Sequence, residues 1–310
     1  MYDYLIVGSG LFGSVFAQIM NEYGKKCLVI EKRNHIGGNI YTKEEDGIKI
    51  HLYGAHIFHT DNEDVWRYIN RFCSFNNFIN SPLANYKGNI YNLPFNMNTF
   101  NKLWNVITPE DAKNKIQEQC KKYKEITQPS NLEEQALKLC GDDIYYTLIK
   151  EYTEKQWGRP ANKLPASIIK RVPIRFTYNN NYFNDLYQGI PKDGYSQLIN
   201  NLLNNIQTYT QTDYFDNKHY FHSIAKKILF TGCIDEYFDF IYGKLDYRSL
   251  RFEHIHLNIK DYQGNAVVNY NEAKIPYTRI IEHKHFEFGK QATTIITKEY
   301  PLEYTSSEEP

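Results

Sequence analysis

The chain has 310 residues, with 36 Lys plus Arg offset by 36 Asp plus Glu, which suggests about two domains with ample core and no basic footprint for nucleic acid or an anionic membrane surface. No apolar run approaches the roughly 20 residues of a membrane span, and the N-terminus reads as a folded strand instead of a signal peptide, so a cytoplasmic protein is expected. Five cysteines, scattered and without a C-x-x-C spacing, point to reduced thiols and not to disulfides or a metal cage.

Tyr4-Leu5-Ile6-Val7 reads as a buried strand that leads into Gly8-Ser9-Gly10-Leu11-Phe12-Gly13, a G-x-G-x-x-G turn. In such a turn Gly8 permits the tight exit from the strand, Gly10 lets backbone approach a pyrophosphate, and Gly13 lets the next helix sit against the sheet. That helix is expected over residues 11–23, its N-terminal amides aimed at the phosphates, with Gly24 as its stop. A second strand over residues 26–30 ends on Glu31, about 20 residues after the glycines. There a carboxylate accepts hydrogen bonds from a ribose 2'-hydroxyl and would repel the extra phosphate of NADP. Strand, glycine turn, helix, strand and acid occur in order, which sets a dinucleotide site apart from a chance glycine turn. The stretch Glu31 to Gly38, E-x-x-x-x-x-G-G, resembles the extended signature of flavoproteins of the glutathione-reductase and amine-oxidase type, which favours FAD over NAD. The alternative is an ordinary surface loop with a Gly-Gly turn.

Lys49 to Leu52 looks like a strand running into Tyr53-Gly54-Ala55-His56-Ile57-Phe58-His59-Thr60, and Asn62 with Glu63 and Asp64 opens a helix through Val65, Trp66 and Ile69. His51, His56 and His59 invite a metal reading. No carboxylate or cysteine completes a ligand set, so no metal is expected, and the Gly54-Ala55-His56 backbone is placed against a flavin ring instead. Residues 79–86 and 88–94 read as a β-hairpin with Lys87-Gly88 at its turn. This breaks the βαβ rhythm and implies a second domain. From residue 98 to about 150 the pattern is helical, with starts at Thr108-Pro109 and Asn131.

Residues 152–160 and 164–176 hold Tyr152, Trp157 and several cations, interrupted by Pro160, Pro165 and Pro173. The prolines deny a regular helix, and the composition suits a loop closing over an anionic, aromatic ligand. Tyr182, Phe183 and Tyr187 follow among asparagines. The chain carries 27 tyrosines and 18 phenylalanines, suited to stacking on a base and on sugar faces, although most will be core. A turn at residues 188–195 precedes a helix over 196–203. Residues 228–232 form a strand ending in Thr231-Gly232, and residues 267–270 and 293–297 are further β-rich segments of an antiparallel sheet. The tail from Ser306 to Pro310 looks disordered.

The runs at residues 53–60, 80–84, 93–100, 154–159, 181–183 and 276–286 (Pro-Tyr-Thr-Arg-Ile-Ile-Glu-His-Lys-His-Phe) resemble bacterial UDP-galactopyranose mutases along the whole chain. The resemblance implies an isomerase that interconverts UDP-galactopyranose and UDP-galactofuranose on reduced FAD, supplying galactofuranose for cell-surface glycans without net redox change. In such enzymes flavin N5 attacks the anomeric carbon as UDP leaves, the flavin-bound sugar opens and recloses, and UDP recaptures it. The implied architecture is α/β, with a discontinuous Rossmann-like FAD-binding domain (1–78 and 189–243), a β-sheet domain (79–97, 151–188 with a mobile loop, and 244–310) and a small helical domain (98–150). Homodimers are the family habit.

By the same resemblance Arg171 and Arg279 offset the charge of the departing diphosphate, and His56 lies at the flavin. Asn80, Tyr152, Trp157, Tyr182, Phe183 and Asn269 line the substrate pocket, and His59 bears on the choice of sugar. Phe12, Lys32, Gly38, Asn39, Ile57, Thr231 and Gly232 join Gly8, Gly10, Gly13 and Glu31 as cofactor contacts. Bland rivals stand beside these roles: Arg171 as a surface cation, Trp157 as core, Asn80 and Asn269 as satisfied strand or turn residues. The family continues several tens of residues past the point where this sequence stops, with a further flavin-contact strand, a second phosphate-binding arginine and substrate tyrosines. If these 310 residues are the entire polypeptide, weak FAD retention and little turnover are expected. Two other readings are an amine-oxidase-type FAD oxidoreductase and an inactive, truncated nucleotide-sugar-binding form.

Overall fold

The computed structural model describes residues 1–171 and 174–304, with the side chains of Lys170 and Arg171 left out. The chain divides into two compact units, Met1–Phe78 with Asp185–Asp246 and Ile79–Asn184 with Tyr247–Pro310. Residues 185–188, which the sequence reading gives to the sheet domain, cluster with the first unit. The expected tail at residues 306–310 lies outside the described residues.

The first unit is built on a four-stranded parallel sheet in the order Ala225–Phe230, Tyr2–Val7, Cys27–Ile30, Gln207–Tyr209. Its two central strands, Tyr2–Val7 and Cys27–Ile30, are covered on both faces, so successive residues enter opposite cores. Ile6, Cys27 and Val29 pack with Ala17 of the helix Leu11–Glu22 and with Leu198 and Leu202 of the helix Gly194–Leu202. Leu5, Leu28 and Ile30 pack the other way, with Tyr214 and Phe221. This double burial is why Tyr4 to Val7 and Cys27 to Ile30 read as continuous apolar runs. Two antiparallel ribbons complete the unit, Thr42–Glu45 with Ile48–His51 and Phe58–Thr60 with Tyr187–Gly189. The helix Glu63–Ile69 starts where Asn62 accepts the backbone N–H groups of Asp64 and Val65.

The second unit carries a six-stranded sheet in the order Arg248–Leu257, Thr294–Glu303, Arg279–Glu282, Val267–Tyr270, Leu83–Tyr86, Asn89–Asn92. It is antiparallel as expected except for one parallel pair, Val267–Tyr270 with Leu83–Tyr86. The hairpin at its edge turns on Lys87 and Gly88, with φ of 53° and 77°, the positive values a two-residue hairpin turn requires. Helices Met97–Trp104, Pro109–Cys120 and Leu132–Ile144 begin at Asn96, Thr108 and Asn131, each of whose side chains caps the first turn. They share a core with the sheet, in which Ala84, Tyr91 and Phe95 meet Phe100, Ile116, Leu132 and Tyr145.

One expectation is corrected here. The helical run does not end near residue 150. After a single wide turn at Tyr145–Ile149 it continues as the α-helix Lys150–Trp157 and stops at Gly158, φ 64°. Pro160 lies beyond that stop and interrupts no helical bond, so Tyr152 and Trp157 stand on a helix and not on a proline-broken loop. The loop proper begins after it, with a short helical turn at Ala166–Arg171. Among the described residues no helix is long and apolar enough to cross a membrane.

Candidate functional site

The glycine turn of the first unit is shaped by what its glycines touch. A Cβ on Gly8, which has φ +103°, would lie 2.1 Å from Thr231 Oγ1, and one on Gly13 would lie 2.2 Å from the Gly8 carbonyl oxygen. These two close approaches seat the helix on the strand exit. Thr231 donates to the Val7 carbonyl through its backbone N–H at 3.0 Å and its hydroxyl at 2.8 Å, tying the end of the strand Ala225–Phe230 to the turn. Gly38 approaches Gly10 closely, its would-be Cβ 3.1 Å from Gly10 Cα. Beside Gly10 itself, a Cβ would meet nothing within 4 Å. The helix Leu11–Glu22 has no acidic residue in its first turn and no side-chain cap, so its leading N–H groups are free of a competing carboxylate. An open backbone cradle at an uncapped, positive helix end fits a pyrophosphate.

Glu31 is buried, and its Oε2 accepts the Ser9 N–H at 3.0 Å and the Ser9 hydroxyl at 2.7 Å while Oε1 accepts the Arg33 N–H at 3.0 Å. The acid therefore braces the glycine turn, in addition to the ribose role expected of it. Phe12 is 69% exposed at the start of the helix. Asn39 accepts both Arg33 Nη groups at 3.1 Å, Lys32 is exposed, and a Cβ on Gly232, after Thr231, would lie 2.7 Å from Phe230 Cζ.

The three histidines do not converge. His51 is buried and neutral, its Nδ1 accepting the His56 N–H at 3.3 Å, and burial pushes its pKa down to about 3. His56 Nδ1 lies 2.9 Å from the Gly54 carbonyl, which orients the ring beside Ile57. His59 pairs through Nδ1 with Asp185. A different group, Asp261, Glu282 and His285, brings its ligand atoms within 4.8 Å of one another. Glu282 already accepts from Tyr262 N and Gln263 N at 2.9 Å and from Thr294 Oγ1 at 2.7 Å, so this cluster is a hydrogen-bonded junction of the sheet's loops.

In the second unit the register of the sheet brings three candidate positions into one row. Asn269 lies opposite Arg279, and Arg279 lies opposite Glu299 on the next strand. Directly opposite residues share a face, so the three side chains stand side by side. Arg279 Nε is 3.1 Å from Glu299 Oε1, a salt bridge without hydrogen-bond alignment, and Arg279 Nη2 donates to the Tyr152 hydroxyl at 3.3 Å. Glu299 is buried, and its Oε1 accepts the Thr278 hydroxyl at 3.1 Å. The Arg279 side chain keeps 26% of its surface exposed. Tyr152 and Glu299 hold its proton above the ordinary arginine value against the cost of burial, while burial raises the Tyr152 phenol, so the pair is a permanent cation beside a neutral hydroxyl. Asn269 Oδ1 is buried and has no hydrogen-bond partner among the described residues.

Tyr182 and Phe183 meet edge to face at 5.5 Å, and the Tyr182 N–H donates to the Asn80 carbonyl at 2.7 Å. Arg175 organises this segment: it donates to the carbonyls of Asn181 and, at 3.0 Å, Tyr182, and to Asn184 Oδ1 at 2.5 Å. Trp157 is 37% exposed at the helix end. Arg171, the other expected diphosphate cation, has its side chain outside the described residues. Sequence reasoning missed Glu299, Arg175 and Arg248. Arg248 Nε donates to the Gln156 carbonyl at 3.3 Å and Nη1 pairs with Glu303, which sets a second guanidinium under the turn after Trp157. No local pattern marks Glu299 or Arg248, whose partners lie on elements remote in sequence, while Arg175 bonds within its own loop, six to nine residues on, where no regular period shows it.

The first unit is a dinucleotide-binding Rossmann domain of flavoprotein type, and a family model for NAD(P)-binding Rossmann-like domains matches residues 6–72. A second model, described as UDP-galactopyranose mutase, matches residues 147–310. The dTDP-fucopyranose mutase of Escherichia coli is 40% identical over 314 residues, covering 97% of this chain and 81% of its own. A Klebsiella pneumoniae protein named "Probable UDP-galactopyranose mutase" is 39% identical over 304 residues, covering 96% and 77%. A crystal structure of reduced UDP-galactopyranose mutase superposes with a TM-score of 0.70 at 16% identity, over 100% of this chain and 75% of that one, which shows the same fold. The chain belongs to the UDP-galactopyranose mutase family and is an isomerase of nucleotide-sugar mutase type.

Proposed function

We propose that the protein interconverts UDP-galactopyranose and UDP-galactofuranose with reduced FAD lying along the Gly8 to Gly13 turn. The observation that carries this reading is the Asn269, Arg279, Glu299 row with Tyr152 beside it, inside the region that matches the mutase model. Reduced flavin supplies a nucleophilic nitrogen for the anomeric carbon. The side chains do the rest. Arg279, held by Glu299 and the Tyr152 hydroxyl, offers its remaining N–H groups to the diphosphate, where negative charge grows as the glycosidic bond breaks. Arg171, on the loop after Trp157, is proposed as the second cation. Asn269 Oδ1, which has no hydrogen-bond partner among the described residues, suits a ribose or sugar hydroxyl. Tyr152, Trp157, Tyr182 and Phe183 supply aromatic faces for uracil and sugar, Asn80 supports Tyr182, and His59 reads the sugar.

His56, Ile57, Phe12, Lys32, Gly38, Asn39, Thr231 and Gly232 are proposed contacts of the cofactor, with Glu31 at the ribose. We place the protein in the cytoplasm as a homodimer supplying galactofuranose for surface glycans, and we retain the division into flavin, helical and sheet domains.

A second reading, with a dTDP-linked fucose as substrate, rests on the 40% identity to the E. coli enzyme of that name. Dithionite-reduced protein incubated separately with UDP-galactofuranose and dTDP-fucofuranose, followed by HPLC, separates the two. Appearance of the pyranose from only one identifies the substrate. Oxygen consumption with an amine in place of interconversion would support an oxidase, and nucleotide binding without either would support a non-catalytic form.

A further inference from the structure

We propose that Lys155 is a positioning residue for this reaction: its ammonium clamps the helix that carries Tyr152 and Trp157 onto the connection between the strands that carry Asn269 and Arg279. The proposal rests on the mutase reading above.

Lys155 Nζ donates to the backbone carbonyls of Tyr270 at 2.6 Å, Glu272 at 2.9 Å and Ile275 at 3.0 Å. An ammonium has three N–H donors, so each finds one acceptor and none is left for a carboxylate. The three carbonyls belong to the turn that leaves the strand Val267–Tyr270 and returns as Arg279–Glu282. Two further bonds join the same helical segment to the same turn. Glu151 Oε2 accepts the Ala273 N–H at 2.6 Å, and Asn271 Nδ2 donates to the Leu148 carbonyl at 2.8 Å. Tyr152 lies three residues before Lys155, on the adjoining turn of the helix Lys150–Trp157. The clamp thus fixes the element bearing the Tyr152 hydroxyl against the strand bearing Arg279, whose mutual bond of 3.3 Å has little slack. It also gives a physical role to the Glu154 to Arg159 motif: Glu154 accepts the Ala161 N–H at 2.9 Å to close the turn, and Lys155 anchors it.

Burial pushes Lys155 down to about 8, with Glu151 and Glu272 opposing that shift. The charged and titratable groups around it are themselves engaged. Glu272 pairs with Lys274 at 2.9 Å and accepts the Lys87 N–H at 3.0 Å, Glu151 Oε1 accepts the Tyr86 hydroxyl at 3.2 Å, and burial raises Tyr270 to about 12. A neutral amine has two N–H groups for three carbonyls. Even so, the clamped value lies below the ordinary 10.5, so loss of the proton favours the closed contact over a solvated lysine, and the clamp holds in the alkaline range.

The test is turnover of reduced, flavin-loaded full chain with UDP-galactofuranose and with dTDP-fucofuranose, as kcat and KM on both sides of pH 8. Lys155→Met is expected to lower kcat by about 10- to 100-fold, more than it raises KM, at unchanged flavin content. Lys155→Arg is expected to recover most of kcat, because a guanidinium offers N–H donors to the same carbonyls. Parent-like kcat in Lys155→Met, or a loss in Lys155→Arg as large as in Lys155→Met, overturns the proposal. Should Lys155→Met not fold, Lys155→Gln decides in its place by the same readout, kcat falling more than KM rises supporting the clamp and parent-like kcat overturning it. If the parent interconverts neither sugar nucleotide, the functional reading fails on its own. Hydrogen exchange over residues 276–280 then judges the clamp: exchange faster in Lys155→Met than in the parent supports the anchoring, and exchange unchanged from the parent overturns it.

Discussion

Arg279 donates through Nη2 to the Tyr152 hydroxyl at 3.3 Å while its Nε rests 3.1 Å from Glu299. One edge of the guanidinium is spent on the protein, and the remainder faces outward with a fixed plane. Arg279→Lys keeps the charge and loses that plane, so kcat/KM should fall by about 10²- to 10³-fold. Glu299→Gln should cost about tenfold, since it leaves the cation in place but unaligned. HPLC of sugar-nucleotide interconversion measures both. Arg279→Lys within twofold of the parent would remove Arg279 from the mechanism.

Gly10 and Gly13 should separate cofactor binding from folding. A Cβ at Gly10 meets nothing within 4 Å, whereas one at Gly13 sits 2.2 Å from the Gly8 carbonyl. Gly10→Ala is expected to keep the unfolding midpoint of flavin-free protein and to lose bound flavin, because the methyl occupies phosphate space. Gly13→Ala should destabilise the flavin-free protein by about 1–3 kcal/mol through overpacking. Thermal unfolding and visible flavin absorbance read the two. Parent-level flavin in Gly10→Ala would sink the placement of the pyrophosphate.

Asn96 links a helix cap to the aromatic segment. Fully buried, it accepts the N–H groups of Asn98 at 3.0 Å and Thr99 at 3.3 Å and donates to the Asn179 carbonyl at 2.9 Å and Asn180 Oδ1 at 2.7 Å. Asn96→Ala should cost about 1–3 kcal/mol of stability, since both a cap and buried donors are lost. KM for the nucleotide sugar should rise with it, as the segment bearing Tyr182 loosens. A stability loss with unchanged KM would separate the cap from the site.

Glu282 and His285 give stability a pH signature. Side-chain bonds from His285 and Thr294 and the backbone N–H groups of Tyr262 and Gln263 outweigh burial and hold Glu282 at about 2, below its ordinary 4.5. Its contribution, on the order of 3 kcal/mol, is present above pH 4.5 and is lost as pH falls toward 2. The Glu282 bond raises His285 above 6.5, so its contribution is full below pH 6.5 and fades as pH rises through the raised value. Urea unfolding across pH should therefore show its largest difference between the parent and His285→Gln below pH 6.5. A difference that grows above that pH would contradict the pairing.

What the sequence by itself determined are the features written in bonds between near neighbours. The caps at Asn62, Thr108 and Asn131, the Lys87-Gly88 turn, and the strand, glycine turn and helix of residues 4–22 depend on backbone geometry within a few positions. The mutase motifs carried the family likewise, as contiguous runs. Only the tertiary structure decided which strands adjoin. Alternation tells which residues share a face but not which strand lies beside them, so the Asn269, Arg279, Glu299 row and the parallel pairing of Val267–Tyr270 with Leu83–Tyr86 had no local signal. The same holds for the helix past residue 150. Its continuation is sustained by Lys155, Glu151 and Asn271 bonding across more than a hundred residues of chain, a free energy that exists only once the sheet has formed beneath it.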